Sequence, residues 1–286
     1  MTSFTMLVGL PGCGKSTYAA KTGAVVCSSD QIRETLHLTD NNKVFAELDR
    51  QVRTALRSGM DVVYDATNLN RKKRISYLKN LSRFDIRKKV VCFATPLSIC
   101  KKQNLMRDEK WIVPDSVYDK FIRCFQIPAM YEGWNEVGFE FNIRPFDPVF
   151  SFEKANVFDQ ENPHHTLTLG EHLRQAAEYA DRHGFADLHD ACLYHDVGKL
   201  VTKSFSDGKG PTDVAHYFGH DNASAYIYLS EIAADPYTAN LINWHMMPFN
   251  WDQNPNAKEK ARRLIGDDMM KDIDKIHCAD MSAKGE

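Results

Sequence analysis

The stretch GLPGCGKST at residues 9–17 constrains the fold of this chain more than any other. It fits the pattern G-x-x-x-x-G-K-[ST], in which a glycine-rich loop surrounds phosphate oxygens with backbone N–H groups. Residues 4–8 before it are mostly apolar, as in a buried parallel strand, and residues 17–21 can begin a helix. The alternative interpretation is a glycine-rich turn that only connects this strand and this helix. The full motif in this context predicts an α/β domain with a nucleotide-binding loop.

The residues of this loop have separate expected roles. Lys15 reaches the β- and γ-phosphates of a nucleoside triphosphate, and the Ser16 hydroxyl coordinates Mg²⁺. The other predicted cofactor-binding residues of the loop are Gly9, Pro11, Gly12, Cys13, Gly14 and Thr17.

Charge and histidine are divided unevenly along the chain. The first 150 residues contain 23 lysines and arginines against 16 acidic residues, and the remainder contains 13 against 22. Ten of the 11 histidines follow residue 160. A basic half suits a polyanionic substrate and an acidic, histidine-rich half suits a metal, although a solvated surface explains either bias alone. We predict two domains, residues 1–150 and 151–286.

Cysteine usage and hydropathy limit the cellular setting. Seven cysteines without a C-x-x-C pair argue against a disulfide framework or a zinc ribbon, and buried thiols are expected. No apolar run approaches a membrane span, and the N-terminus lacks a signal-peptide pattern. A cytoplasmic protein without a membrane partner is therefore expected.

Acidic residues end two predicted strands of the first domain. After the strand at residues 24–27, Asp30 either caps the next helix or lies at the sheet edge where ligands bind in open α/β sheets. A carboxylate at that edge can accept a proton from an attacking hydroxyl, and Arg33 shares its helix face. Asp65 ends the strand at residues 61–65 and either holds Mg²⁺ through water or orients an arginine.

Two later segments suggest contacts with phosphate groups. The basic run at residues 71–74 is typical of a solvated helix face, but beside a phosphate site it could follow a nucleic-acid backbone. Residues 97–107 and 115–126 are expected to be helices around a charged break, which predicts a lid. An arginine of such a lid, here Arg107, neutralises charge on a transferred phosphoryl group.

The second half contains the adjacent pair His195 and Asp196, within a region expected to be helical from Thr168 onward. Before that region we expect a linker at residues 144–163 with two short extended pieces inside it. Neighbours on a helix point about 100° apart, so both reach one metal only at a helix end or between helices. His172 and Asp280, from other predicted helices, could complete a shell of nitrogen and oxygen ligands. Such a shell suits Mn, Fe, Ni, Co or Zn.

The remaining histidines have plainer interpretations. His245 is either a ligand or a core histidine beside Trp244. His277 is expected at a surface or capping position, and a ligand role is its alternative because it shares a helix face with Asp280. Surface or capping positions are expected for the rest, namely His164, His165, His183, His189 and His216.

The motif order of residues 4–145 resembles the 5′-hydroxyl polynucleotide kinases of the bacteriophage end-healing type. The matching motifs are the loop at residues 9–17, Ser-Asp-x-x-Arg at 29–33, Asp-x-Thr-Asn-Leu-Asn at 65–70 and Asn-x-x-Arg at 104–107 before Val-Pro. The resemblance implies that ATP and Mg²⁺ are cofactors and that Asp30 is the general base for a 5′-hydroxyl. It also implies that Arg33 contacts the acceptor strand and that Arg107 binds the donor phosphates.

Two positions depart from that family's pattern. A second lid arginine of the family is replaced here by Gln103, so Lys101 or Lys102 would have to substitute for it. The family's acid before Thr-Asn-Leu-Asn is one position closer to the threonine than Asp65 is. Lys15, Asp30 and Arg33 match the pattern directly.

Residues 164–282 resemble the HD phosphohydrolase superfamily, whose fold is all helical. The resemblance rests on His-Asp followed by Val-Gly-Lys at residues 195–199, with further histidines and an aspartate in the family's order. It implies a core ligand set of His172, His195, Asp196 and Asp280, and a second metal on His220 and His245. Lys199 would neutralise phosphate. A metal in such a site lowers the pKa of its water for hydrolysis of a phosphoester.

Together these features predict a bifunctional enzyme that heals nucleic-acid ends, RNA in preference to DNA. The first domain would phosphorylate 5′-hydroxyl ends, and the second would remove a 2′-, 3′- or 2′,3′-cyclic phosphate before a separate ligase acts. A small-molecule nucleoside or nucleotide kinase joined to a nucleotide phosphohydrolase is the alternative. A non-catalytic nucleotide sensor is a third interpretation, and the sequence leaves the oligomeric state open.

Overall fold

The computed structural model describes residues 1–142, 144–163, 166–251 and 253–285. The chain forms two compact units that alternate along the sequence. The first comprises Met1–Thr95, Ile99–Val113 and Pro128–Ile143. The second comprises Pro96–Ser98, Pro114–Ile127 and Arg144–Glu286.

A five-stranded parallel sheet forms the centre of the first unit, with the strand order β2-β3-β1-β4-β5. The strands are β1 (Ser3–Val8), β2 (Val25–Ser28), β3 (Val62–Asp65), β4 (Arg87–Ala94) and β5 (Glu136–Phe141). The central strand β1 is largely buried, as its apolar run predicts. Ser28 is the register partner of Asp65, so β2 and β3 end side by side. The predicted α/β architecture, a parallel sheet flanked by helices, is confirmed.

Helices flank this sheet in the segments between its strands. They are α1 (Lys15–Ala19), α2 (Ser29–Leu36), α3 (Asn41–Arg57), α4 (Arg71–Asn80) and α5 (Leu97–Asn104). The α3 helix begins after an Asp40 cap and buries one face, which includes Val44, Leu48 and Val52. The predicted helix at residues 97–107 is shorter than expected, because the Asn104 side chain bonds both backbone groups of Val113.

The predicted lid is wrong in its second half. Residues 115–126 form α6 (Asp115–Ile122) and a following turn, which belong to the second unit. Tyr118, Ile122 and Phe125 are fully buried there, and the Phe125 ring packs edge-on against Tyr226 at 4.8 Å. Because burial of these apolar side chains is favourable, we expect α6 to stay packed in the second unit and not to move as a lid would.

The second unit is mainly helical. Its helices after α6 are α7 (Phe152–Asn156), α8 (Leu169–Arg182), α9 (His189–Tyr194), α10 (Lys199–Thr202), α11 (His220–Ile227), α12 (Pro236–Trp244), α13 (Pro248–Trp251), α14 (Pro255–Ile265) and α15 (Asp267–Ser282). A capping box between Thr168 and Glu171 fixes the start of α8. The α8 helix packs against α9 and α15, and α11 packs against α12. These five helices position the side chains described below.

Two smaller expectations for this part of the chain are wrong, and the expectation of buried thiols holds for five of the seven cysteines. A β-hairpin of β6 (Ser204–Ser206) and β7 (Pro211–His216) interrupts the predicted helices, because Asp207 accepts two backbone N–H bonds that close its turn. The predicted linker, in which two short extended pieces are expected, contains the helix α7, which Ser151 caps. Cys124 and Cys278 are exposed, whereas the other five cysteines are buried. Among the described residues, no helix has the length and apolarity to cross a bilayer.

Candidate functional site

The loop at residues 9–17 turns tightly after β1. Gly12 and Gly14 have φ values of 74° and 100°, which disfavour other residues. A Cβ on Gly12 would lie 2.3 Å from the Cys100 carbonyl oxygen, so the loop also needs glycine there for space. The buried Lys15 Nζ donates to the carbonyl oxygens of Gly9 and Leu10 at 3.0 and 2.7 Å. The Lys15 ammonium is thus held inside the curve of the loop.

Ser16 and Asp65 form the adjoining oxygen-rich part of the site. The Ser16 hydroxyl donates to Asp65 Oδ2 at 2.7 Å, and Asp65 is buried at the end of β3. Burial raises the pKa of Asp65, against the opposing effects of Lys15 and the Ser16 hydrogen bond. A hydroxyl beside a carboxylate is a donor set that Mg²⁺ accepts. The structure therefore brings together the two residues that the sequence proposes for Mg²⁺.

Asp30 does not cap α2, because the Ser28 side chain has that role. Its carboxylate is 53% exposed and lies between two arginines. Arg107 Nη2 is 2.9 Å from Asp30 Oδ2, and Arg33 Nη1 is 3.4 Å from Asp30 Oδ1. A half-exposed carboxylate flanked by two guanidinium groups can accept a proton beside bound phosphate oxygens. The structure assembles all three predicted residues around one point.

Two buried side chains support this site in structural roles that the sequence does not predict. Asn104 fastens the segment that carries Arg107, through its two hydrogen bonds to Val113. Arg74 donates to the Asn68 and Leu69 carbonyl oxygens and forms a two-point ion pair with Glu132. The basic run at residues 71–74 therefore is not simply a solvated face. An arginine that ends up buried has no distinguishing signal in a run of four basic residues.

The second unit gathers the predicted ligands into one buried cluster. His172, His195, Asp196 and Asp280 place one ligand atom each within 4.8 Å of one another, and Asp196, His220 and His245 do the same. Asp196 is common to both groups: its Oδ2 lies 3.3 Å from His172 Nε2, and its Oδ1 lies 3.1 Å from His220 Nε2. These side chains come from the helices α8, α11 and α15 and from the turns after α9 and α12.

All four imidazoles are fixed by the same kind of hydrogen bond. The Nδ1 atoms of His172, His195, His220 and His245 lie 2.7–2.8 Å from backbone carbonyl oxygens, of Ala283, Cys192, Tyr217 and Ile242 respectively. Because a carbonyl oxygen can only accept, each Nδ1 carries the proton. The Nε2 atom of each ring therefore faces the carboxylates, and in the neutral ring it is the nitrogen left to coordinate a metal.

The cluster contains polar atoms that the protein alone does not satisfy. The Nε2 atoms of His172 and His195 lie 3.1 Å apart within the cluster. Among the residues that the structure describes, the buried His245 Nε2 and Asp196 Oδ1 have no hydrogen-bond partner. Unsatisfied buried polar atoms are costly, and a bound cation would satisfy these. The donor set therefore fits a divalent transition metal.

The electrostatics favour ionised carboxylates. Burial would raise the pKa of Asp196, but Lys199, His195 and His220 hold it well below its usual range. Burial would also raise the pKa of Asp280, but His195 and His172 lower it. Metal binding requires deprotonated carboxylates, so both are already in the ligating form at neutral pH.

Lys199 lies next to this cluster in a defined position. Its ammonium pairs with Asp196 Oδ2 and donates to Gln160 Oε1, and both distances are 2.7 Å. Gln160 is fully buried, and its backbone oxygen accepts from the Tyr217 hydroxyl. Gln160 comes from the predicted linker, so its role in orienting Lys199 has no signal in the sequence.

Gly198 is required for close packing beside the cluster. A Cβ there would lie 2.3 Å from the His220 carbonyl oxygen and 2.5 Å from the Ser224 backbone nitrogen. We expect Gly198→Ala to cost about 1–3 kcal/mol of unfolding free energy, because α11 must move to admit the methyl group. Urea unfolding with a probe of the second unit measures this. Gly210→Ala, which meets open space, is the matched control and should be neutral. Equal stability of the two variants would contradict the packing.

The histidines without predicted roles lie in varied places. His183 and His189 contact Tyr179 and Asp181 near the end of α8, as surface residues. His216 is partly exposed on β7, and His277 packs its ring edge-on against Phe249 at 4.5 Å. His277 does not belong to either ligand group among the described residues. His164 and His165 lie outside the described residues.

Comparison with known proteins gives one family match. Residues 4–128 match the model of a family described as an AAA domain. No curated protein matches the chain. The matched segment includes the glycine-rich loop, Asp30, Asp65 and Arg107. Residues 4–128, which are less than half of the chain, are thus similar to a P-loop kinase-like AAA domain.

Proposed function

We propose that the chain is a bifunctional nucleic-acid end-healing enzyme, with a 5′-hydroxyl kinase in the first unit and an HD-type metal-dependent phosphohydrolase in the second. The observation that carries the proposal furthest is the convergence of four imidazole Nε2 atoms on Asp196 and Asp280, on the same chain as a P-loop kinase-like domain. The proposed setting is the cytoplasm.

In the kinase half, ATP and Mg²⁺ are the proposed cofactors. Ser16 and Asp65 would hold Mg²⁺, which would supply positive charge to the phosphate oxygens. Lys15 reaches the β- and γ-phosphates from inside the loop. Asp30 accepts the proton of the 5′-hydroxyl as its oxygen attacks the γ-phosphorus, and ADP leaves. Arg107, 2.9 Å from Asp30, is close enough to stabilise the transferred phosphoryl group beside that base.

A polynucleotide acceptor is favoured over a small molecule. The first 150 residues carry a surplus of basic side chains, which attracts a polyanion. Arg33 extends from Asp30 toward Asn41, to which its Nη2 donates at 2.8 Å, and so offers a cation on the acceptor side of the base. A free nucleoside has no phosphate for this cation to bind.

In the hydrolase half, a transition metal would be held by His172, His195, Asp196 and Asp280, with Asp196, His220 and His245 available to a second. Such metals lower the pKa of a bound water and polarise phosphoryl oxygens. Lys199 offers its ammonium to a phosphate oxygen at the edge of the cluster. The net reaction adds water across a P–O bond of a terminal 2′-, 3′- or 2′,3′-cyclic phosphate.

The two proposed activities would together prepare both ends of a broken RNA for ligation. A 5′-hydroxyl end needs phosphate added, and a 3′ end that carries phosphate needs it removed, before a ligase can join them. RNA is preferred to DNA because 2′,3′-cyclic phosphates require a 2′-hydroxyl. The separate ligase is a proposed partner.

Metal removal tests the hydrolase half. After chelation and return to Mg²⁺ alone, we expect hydrolysis to be lost and 5′-phosphorylation to persist. Adding back Mn²⁺, Co²⁺, Ni²⁺ or Zn²⁺ should restore hydrolysis with at least one of them. A bound metal at about 1,000 times its Kd stabilises the folded unit by about 4 kcal/mol, so thermal unfolding should shift upward on reloading. Protein that binds none of these metals by elemental analysis would contradict the proposal and favour another role for this half.

The acceptor assay separates the proposal from the small-molecule alternative. With ATP and Mg²⁺, we expect efficient labelling of a 5′-hydroxyl oligonucleotide and little labelling of free nucleosides. The reverse preference would favour a nucleoside kinase. Absence of transfer to either acceptor, with ATP binding retained, would favour the sensor interpretation.

A further inference from the structure

A cavity of about 310 Å³ opens beside the metal cluster and has an aromatic lining that the hydrolysis chemistry does not require. Asp196, Lys199, His220 and Asp280 contribute its polar side. His216, Tyr217, Phe218, Met246 and Phe249 contribute aromatic and apolar surface. The volume lies near the lower end for small-molecule pockets, which suits one nucleotide.

Phe218 is the most informative residue of this lining. Its side chain is 55% exposed, although burial of a phenylalanine is favourable. Its ring is stacked on His216, with an interplanar angle of 3° and 5.5 Å between ring centroids. One face of the phenyl ring is therefore supported by the imidazole, and more than half of the side chain still faces solvent.

The backbone around Phe218 is held firmly. The Phe218 carbonyl oxygen accepts from Arg123 Nη1 at 3.2 Å. Gly219, with a φ of 74°, lies so close to Arg123 that a Cβ would be 2.6 Å from the Arg123 carbonyl oxygen. The next residue, the ligand His220, begins α11. The ring is consequently carried on a fixed segment that leads directly into the metal cluster.

We propose that Phe218, backed by His216, is a stacking platform for the base of the nucleotide whose phosphate enters the metal cluster. The proposal rests on the proposed hydrolase function and assigns its substrate class as a terminal nucleotide. Flat aromatic rings stack on bases of any sequence, because every base has a π-face. Phosphate recognition alone would be served by the cations and ligands, and would leave the exposed ring without a role.

The test compares ligands with and without a base. Adenosine 2′-phosphate and glycerol 2-phosphate are both phosphate esters of a secondary alcohol, but only the first can stack. For the metal-loaded full chain, we expect Phe218→Ala to raise KM for adenosine 2′-phosphate at least about fivefold, since loss of one base–aromatic stack weakens binding by that factor or more. KM for glycerol 2-phosphate and kcat for both should change less than about twofold, by the same argument. Phe218→Trp should retain the wild-type preference.

Phe205→Ala is the matched control, because Phe205 is a similarly exposed phenylalanine on β6 that does not line the cavity among the described residues. Calorimetric titration of adenosine 2′-phosphate into both variants gives a readout that needs no turnover. Equal affinity of wild type and Phe218→Ala would overturn the platform, whether or not the protein hydrolyses the ligand. Weaker binding only in Phe218→Ala supports it. A wild-type protein that binds adenosine 2′-phosphate through Phe218 but hydrolyses no phosphoester would refute the hydrolase proposal while leaving the base site in place.

Discussion

Replacement of Asp196 with alanine is expected to lower phosphohydrolase activity at least about 1,000-fold, since it removes electrostatic stabilisation from the whole cluster. Asp196 is the one carboxylate common to both ligand groups, and its two oxygens face His172 on one side and His220 on the other. Its loss should also release metal, which elemental analysis of the purified variant measures. Phosphorylation of 5′-hydroxyl ends by the same preparation should stay within about twofold, because no kinase residue is removed.

The sequence supplies a matched control for this variant. His189-Asp190 is a second His-Asp pair six residues earlier, and Asp190 is exposed and accepts a hydrogen bond from Tyr228. Asp190→Ala should retain both metal and hydrolysis. Hydrolysis that survives in Asp196→Ala, or is lost equally in Asp190→Ala, would contradict the assignment of the metal cluster as the hydrolytic centre.

Replacement of Lys15 with alanine or of Asp30 with asparagine is expected to abolish phosphorylation and to spare hydrolysis. Loss of a general base costs about 100- to 10,000-fold in rate, and the amide of Asp30→Asn could not take the proton of the attacking hydroxyl. Lys15→Ala removes the ammonium inside the loop, so ATP binding should weaken along with turnover. Transfer of labelled γ-phosphate to a 5′-hydroxyl oligonucleotide, and equilibrium binding of ATP, measure the two effects.

Glu34→Gln controls for the removal of an acid from α2. Glu34 lies one turn beyond Asp30 and pairs with Lys110 at 2.7 Å, outside the proposed site. The rate of 5′-phosphorylation by Glu34→Gln should stay near that of wild type. We expect Asp30→Asn to keep its ATP affinity and to lose phosphorylation rate. Transfer of phosphate by Asp30→Asn at the wild-type rate would exclude Asp30 as the base.

Local patterns predict much of the first unit because its decisive features are local. The apolar run of β1, the glycine-rich loop and the apolar spacing of α3 each determine an element from neighbouring residues. The contact between Arg107 and Asp30 joins residues far apart in the chain, and only the folded sheet brings them together. Whether α6 belongs to a lid or packs in the second unit depends on the tertiary contacts of its apolar face. The spacing of residues along the helix does not show those contacts.

The second unit shows how context separates functional from incidental motifs. His-Asp occurs at residues 189–190, 195–196 and 220–221, and only the middle pair contributes both of its residues to the buried cluster among the described residues. The following Val-Gly-Lys distinguishes it in the sequence, and Gly198 proves to be needed for the approach of α11. Gln160 and the Nδ1 hydrogen bonds to carbonyl oxygens depend on tertiary structure, so composition and spacing cannot predict them.

The most direct measurement is the fate of both ends of one RNA that carries a 5′-hydroxyl and a 2′,3′-cyclic phosphate. The purified protein is incubated with ATP, Mg²⁺ and a transition metal, and the termini are identified by mass spectrometry. With wild type we expect a 5′-phosphate and removal of the cyclic phosphate. With Lys15→Ala we expect only the change at the 3′ end, and with Asp196→Ala only the change at the 5′ end. An RNA that emerges with both ends unaltered, or a single substitution that blocks both reactions, would contradict two independent sites on one chain.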